Sequence, residues 1–212
     1  MLSPLLRRLR YVAAGGIGAG VGGTAAARAL AREGMSVAWV GADQVAYGAT
    51  GRNAGFILQG TAERYDRAVG LMGRDRARRI HTWSLKNHER MAAAIAEDDI
   101  DCGYRVRGSL QLAGSEREEA ELIASHDLLR ADGFEAELVR EHELGPTLAA
   151  AGFKLGVVLP RDGELHPAAF VRGGARAAIA AGAKLYERTR VTSIDAREPG
   201  NATVHTEHGS IS

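Results

Sequence analysis

Apolar positions gather in short runs along this chain, and glycine-rich or charged stretches separate them. An apolar run over 11–17 leads into a glycine-rich turn. An alanine-rich run over 24–33 follows and stops at Gly34. Ser36-Val37-Ala38-Trp39-Val40 makes the next apolar run. Run lengths and bounding glycines predict strand, helix and strand in that order. After residues 41–47, residues 48–55 form a second glycine-rich loop, too polar for a core element, and they read as functional backbone. A long helix is predicted over 74–97. Ala77, Ile80, Trp83, Asn87, Met91 and Ile95 give it an interrupted apolar stripe, with Trp83 expected in the core.

The texture changes after Gly103. Residues 104–112 alternate as a strand. Ser115-Glu116-Arg117-Glu118 reads as a capping box that opens a helix to Ala131, ended by Asp132-Gly133. A short strand is expected over 135–139, a short helix over 141–150 and a strand over 153–159. Pro167 opens another helix, with His166 at its cap and Gly182 past its end. Strands are expected over 184–187 and 190–196. A turn at Pro199-Gly200-Asn201, a hairpin arm over 203–206 and a turn at Gly209-Ser210 follow. That leaves an open sheet edge near Val204. Residues 101–160 form an inserted α+β subdomain on this reading, between flanking parts 9–100 and 161–212 of one α/β domain.

Composition narrows the class. The chain has 212 residues, enough for one large domain or two small ones. With 45% apolar and 25% charged residues it is ordinary for a soluble protein. A net charge of +1 implies no nucleic-acid partner, and the basic run 74–79 reads as a solvated helix face. Cys102 is the only cysteine, so no intrachain disulfide forms, which fits a reducing, cytoplasmic setting. None of the seven histidines has metal-ligand spacing, so no metal is expected. His205 and His208 read as hairpin surface. Arg7, Arg8 and Arg10 before a small-residue stretch resemble a twin-arginine leader. The glycine spacing and the need for a central first strand outweigh that reading. The same glycines make the stretch too weakly apolar for a stable membrane anchor.

The glycines carry the candidate chemistry. Gly18-Ala19-Gly20-Val21-Gly22-Gly23 has G-x-G-x-x-G spacing between a predicted strand and a predicted helix. In such a unit the first glycine makes the tight turn. The second lets backbone approach a pyrophosphate, and the third lets helix and strand pack closely. Free N–H groups and the helix dipole favour the phosphates at the helix start.

Four segments together resemble the flavoprotein amine and amino-acid oxidoreductases of the D-amino-acid-oxidase-like superfamily, among them glycine and sarcosine oxidases and gamma-glutamylputrescine-oxidase-like enzymes. They are the glycine turn with its helix; Gly48-Ala49-Thr50-Gly51-Arg52-Asn53-Ala54-Gly55; Gly108-Ser109-Leu110-Gln111-Leu112-Ala113; and Gly163-Glu164-Leu165-His166-Pro167 with its helix into Val191-Thr192-Ser193-Ile194. The resemblance implies a Rossmann-like FAD-binding domain with an inserted substrate domain. It also implies FAD as cofactor, a small amine or amino acid as substrate, and oxygen or a carrier as electron acceptor. It places Gly18, Gly20, Val21, Gly22 and Gly23 at the pyrophosphate. Thr50, Gly51, Arg52, Asn53, Ala54 and Gly55 fall beside the flavin, and Val191 at the adenine. Arg52 is a candidate to offset charge near flavin N1, or to hold the loop or a phosphate. No catalytic residue is assigned.

The chain departs from the family pattern in two places. The ribose-binding glutamate expected at the end of the second strand is Gly41, 23 residues after Gly18. Asp43 either replaces it or is an exposed loop aspartate. Family members continue well past residue 212, so the chain is expected to be an N-terminal portion, with the fold C-terminally incomplete. Three functions follow: an FAD-dependent oxidoreductase acting on a C–N bond, a non-catalytic flavin-binding piece, or an NAD(P)-dependent dehydrogenase. The last is disfavoured by the 48–55 loop and by the absence of an acid at residue 41.

Overall fold

Small and β-branched residues at Ala14–Ile17 (β1) and Val37–Val40 (β2) pair in parallel, with Ala14 opposite Val37 and Ile17 opposite Val40. The computed structural model describes residues 14–145, 148, 151–198 and 201–212. Residues 11–13 of the expected first strand and Pro199-Gly200 of the expected turn therefore lie outside the described residues. Helix α1 (Val21–Arg32) connects β1 to β2, as parallel pairing requires. Strand β9 (Lys184–Tyr186) adds in parallel to the other side of β2. All four residues of β2 are buried, the usual condition of a central parallel strand. Helix α5 (Pro167–Ala180) packs with α1 on this sheet around Ala27, Val37, Trp39, Val171 and Ala178. His166 caps α5, its Nδ1 accepting from the Ala169 N–H at 3.3 Å, and Pro167 fills the first turn.

The alternate residues of β2, Ala38 and Val40, face a second core with Val204 and Ile211. That core lies under an antiparallel sheet of β10 (Val191–Glu198), β11 (Asn201–Thr206) and β12 (Gly209–Ile211). Two expectations fail here. Gly209-Ser210 belongs to β12 rather than to a turn. Val204 is paired on both sides, to Ile194 and Ile211, so it is no open edge. A third segment, Ala94–Cys102, joins the same unit. Its Ile100 lies so close to α5 that a β-carbon on Gly173 would come within 2.3 Å of Ile100 Cγ2. Asp98, nearly buried, takes ion pairs from Arg28 and Arg32 of α1.

The second unit comprises Gly55–Ala93 and Gly103–Leu165. The boundaries expected from sequence and these units divide the chain differently: residues 55–93 pack with 103–165. One small sheet joins β3 (Phe56–Ile57), β8 (Gly163–Glu164) and β4 (Arg105–Val106). Another joins β5 (Ser109–Leu112), β7 (Leu155–Leu159) and β6 (Glu137–Arg140). The single strand expected over 104–112 breaks into β4 and β5 at Gly108, whose φ of +77° turns the chain. Helix α2 (Tyr65–Met72) was not foreseen. Helix α3 (Arg74–Glu97) has the expected bounds, and α4 (Glu116–Ala131) begins as expected at Ser115. The Ser115 hydroxyl accepts the Glu118 N–H, but the Glu118 carboxylate takes the N–H of Gly114 instead of closing a reciprocal box. The stripe on α3 is misplaced: Ala77, His81 and His88 are buried, while Trp83 is 67% exposed. Two histidine rings form most of the buried face, and hydropathy alone does not mark them as core. Between 141 and 150 the described residues show a short helical turn, Glu141–Glu143, and a helical Leu148.

Candidate functional site

The glycine turn after β1 is closed by its own backbone. Gly18 has φ +100°, its N–H donates to Val40 O at 2.8 Å, and its carbonyl accepts the indole N–H of Trp39 at 2.8 Å. A β-carbon on Gly23 would lie 1.9 Å from that same carbonyl oxygen and 3.2 Å from Trp39 Nε1. The third glycine therefore lets the first turn of α1 seat against the loop. Gly20 caps α1 with no side-chain hydrogen bond, and the first turn carries no acid. A β-carbon on Gly22 would meet nothing within 4 Å. The helix start thus presents its positive end and bare backbone, an arrangement suited to an anion.

The second glycine-rich loop folds onto the first. The Ala46 N–H donates to Ala19 O at 2.9 Å, and Ala46 itself adopts φ +65°. Gly51 is required at its place, since a β-carbon there would lie 1.9 Å from Ala46 O. Thr50 reaches the start of α1: its Oγ1 accepts the Val21 N–H at 3.4 Å and would lie 3.1 Å from a β-carbon on Gly20. Asn53 folds back, donating to the carbonyls of Thr50 at 2.7 Å and Ala49 at 3.3 Å. The Arg52 guanidinium stacks over the Tyr47 ring at 4.2 Å, a cation–π contact. The sequence thus brings Gly18, Gly20, Val21, Gly22, Gly23 and Thr50 together, with Gly51, Arg52, Asn53 and Ala54 in the adjoining loop. Gly55 opens the second unit, where its carbonyl accepts from Leu165 N–H. Val191 begins β10 and packs against the core of Ala38 and Val40.

No acidic side chain stands at the end of β2. Gly41 donates to Tyr186 O at 3.0 Å and accepts from Thr189 N–H at 2.7 Å. Asp43 is exposed in the following loop, and its carbonyl accepts from Arg188 N–H at 3.4 Å. The site fits a pyrophosphate at the helix start, and it lacks the strand-end carboxylate that would hold a ribose.

The second unit contains a pocket of about 530 Å³, a feature that the sequence did not announce. Asp162 lies on its wall, 1% exposed, and accepts from the Gln59 N–H at 2.8 Å and the Ser109 hydroxyl at 2.6 Å. Burial raises its carboxyl above the usual range, against those two hydrogen bonds. His81 is buried in the same wall, and desolvation, with His88 beside it, pushes its imidazole down to about 4. The ring is therefore neutral at pH 7. Its Nε2 and both side-chain polar atoms of Gln59 are buried without a protein hydrogen bond. Such unsatisfied groups are rare in native cores, and here they lie in side chains that wall a largely apolar pocket. The signal available in sequence was a pair of histidines seven residues apart on one helix. Among the described residues no cluster of His, Cys, Asp or Glu is placed to hold a metal, and no helix is long and apolar enough to cross a membrane.

Residues 17–212 match the family model described as FAD dependent oxidoreductase, DAO. The chain is 27% identical over 193 residues to the probable oxidoreductase OrdL of Haemophilus influenzae, covering 90% of this chain and 44% of that protein. It is 27% identical over 206 residues to the gamma-glutamylputrescine oxidoreductase of Escherichia coli, covering 92% and 45%. The chain therefore spans about half the length of the curated relatives it matches. Among solved structures, glycine oxidase from Geobacillus kaustophilus superposes with a TM-score of 0.82 at 22% identity, over 95% of this chain and 53% of that one.

Proposed function

The chain belongs to the DAO family of FAD-dependent oxidoreductases, and on that footing we propose that the whole protein oxidises a C–N bond of a small amine or amino acid. The observation that carries this reading is the junction of the two glycine-rich loops, where the Thr50 hydroxyl meets the start of α1. The relatives' names, gamma-glutamylputrescine oxidoreductase and glycine oxidase, support the substrate class.

In this reading the turn of Gly18, Gly20, Val21, Gly22 and Gly23 holds the FAD pyrophosphate at the positive end of α1, with Gly18 shaping the turn through its N–H bond to Val40 O. Thr50, Gly51, Arg52, Asn53, Ala54 and Gly55 line the flavin end, Val191 presents backbone at the adenine, and Asp43 serves the ribose. Bound there, FAD supplies a two-electron acceptor at flavin N5 for conversion of the amine to an imine, which water then hydrolyses. The protein's part is to bind and orient, because a neutral amine delivers hydride once its α-carbon is positioned. The electron acceptor is oxygen or a carrier. A cytoplasmic location accompanies this reading, consistent with a single buried thiol at Cys102.

A second reading, a flavin-binding piece without a complete active site, draws on Gly41 and on the coverage of about half the relatives' length. One experiment separates them. The 212-residue chain and any longer open frame containing it are purified with FAD, and anaerobic bleaching of the flavin by small amines and amino acids is followed. Bleaching supports the oxidoreductase. A yellow protein that no amine bleaches supports the second reading, and a colourless one defeats both.

A further inference from the structure

A strand–helix–strand unit of this kind places an acidic side chain at the end of its second strand, roughly 20 residues past the glycine turn, to hold a ribose. Here that place is Gly41, and the structure gives a steric reason. A β-carbon on residue 41 would lie 2.7 Å from the Ala19 methyl and 3.2 Å from Asp43 O. Neither backbone can move aside freely. Gly41 is tied to Tyr186 O and Thr189 N–H, Ala19 O accepts from Ala46 N–H, and Gly18 N–H donates to Val40 O. The methyl at residue 19 therefore excludes any side chain at residue 41.

Two other carboxylates lie near this strand end. Glu187 is engaged, its Oε1 accepting the Val45 N–H at 2.7 Å. Asp43 is exposed, and the chain turns back beside Gly41 so that the carbonyl oxygen of residue 43 lies 3.2 Å from where a β-carbon on residue 41 would be. We infer that Ala19 and Gly41 are a matched pair that shifts the ribose-binding carboxylate from the end of β2 to Asp43. This deepens the FAD reading above and rests on it.

The test uses the purified 212-residue chain, with melting temperature and FAD affinity, by flavin fluorescence, as readouts. Asp43→Asn weakens FAD binding about tenfold, the loss of one charge-assisted hydrogen-bond acceptor. It causes no further loss with an FAD analogue whose adenosine lacks the 2′-hydroxyl. Gly41→Glu alone lowers the melting temperature by about 5 °C through overpacking. Adding Ala19→Gly restores it, and Ala19→Gly with Gly41→Glu recovers FAD affinity in the Asp43→Asn background. A Gly41→Glu variant as stable as the wild type, or an Asp43→Asn variant with unchanged affinity, overturns the inference. A wild-type chain that binds no FAD while the Ala19/Gly41 stability cycle holds overturns the cofactor reading itself, and Asp43's role with it.

Discussion

The indole N–H of Trp39 donates to the carbonyl oxygen of Gly18 at 2.8 Å, and that oxygen also lies where any side chain on Gly23 would have to begin. One carbonyl thus fixes the fully buried ring of β2, the glycine turn and the first turn of α1 against each other. Gly23→Ala must displace the turn or the helix and is expected to cost about 3 kcal/mol or more. Trp39→Phe keeps most of the ring and loses the hydrogen bond, for about 1–2 kcal/mol. Urea unfolding followed by circular dichroism measures both. A Gly23→Ala protein as stable as the wild type contradicts this packing.

Gly20 and Gly22 differ in what surrounds them, and the difference separates fold from cofactor. A side chain on Gly22 meets open space, so Gly22→Ala should raise the stability of the flavin-free chain by about 0.5–1 kcal/mol, as glycine to alanine does in a helix. Gly20→Leu puts bulk at the start of α1 beside Thr50 and should abolish FAD binding with little change in far-ultraviolet circular dichroism. Retention of full flavin by Gly20→Leu would sink the pyrophosphate assignment. The flavin of the wild type should be released by denaturation, since the 48–55 loop has neither His nor Cys for a covalent bond.

His81 gives the second unit a pH dependence of known sign. Its folded value of about 4 lies below the ordinary 6.5. Between those values the unfolded chain binds a proton that the folded one refuses, so stability falls as pH drops from about 6.5 to about 4 and levels off below. The loss amounts to at most about 3 kcal/mol. The raised carboxyl of Asp162 acts in the opposite direction at the acidic end, because its protonated form is the one that burial favours. His81→Leu isolates the histidine: the stability difference from the wild type should vary with pH only within that window. A difference that does not change between pH 7 and pH 4 refutes it.

The ion cluster between α1 and the end of α3 is unequal in its two acids. Asp98 has a side chain only 4% exposed and pairs with both Arg28 and Arg32, whereas Glu97 is half exposed with the same two partners. Asp98→Ala removes the buried partner of both guanidinium groups, leaves them only the half-exposed Glu97, and should cost about 1–2 kcal/mol. Glu97→Ala should barely move the unfolding midpoint, since exposed pairs are screened by solvent. Equal effects of the two substitutions would count against the assignment.

Local chemistry made much of this protein legible from sequence. The parallel β1–α1–β2 unit follows from glycine spacing, an alanine-rich run and a branched run, each a local preference. The bounds of α3, the cap at His166 and the stop at Gly182 also depend on neighbours a few residues apart. Other features needed the folded chain, because they arise from contacts between distant segments. Trp83 and His81 carry the same helical period, and only packing decided that the histidine is buried. Glu118 could bond either of two adjacent N–H groups, and the approach of the chain before α4 selected Gly114. Gly41 looked like a missing carboxylate until its distance to Ala19, 22 residues earlier, showed that no side chain fits there. Residue order set which elements form. The meeting of residues 19 with 41 and 20 with 50 set the glycine-loop site of the first unit, and that of 59 with 162 set the pocket wall of the second; those meetings exist only once each unit has folded.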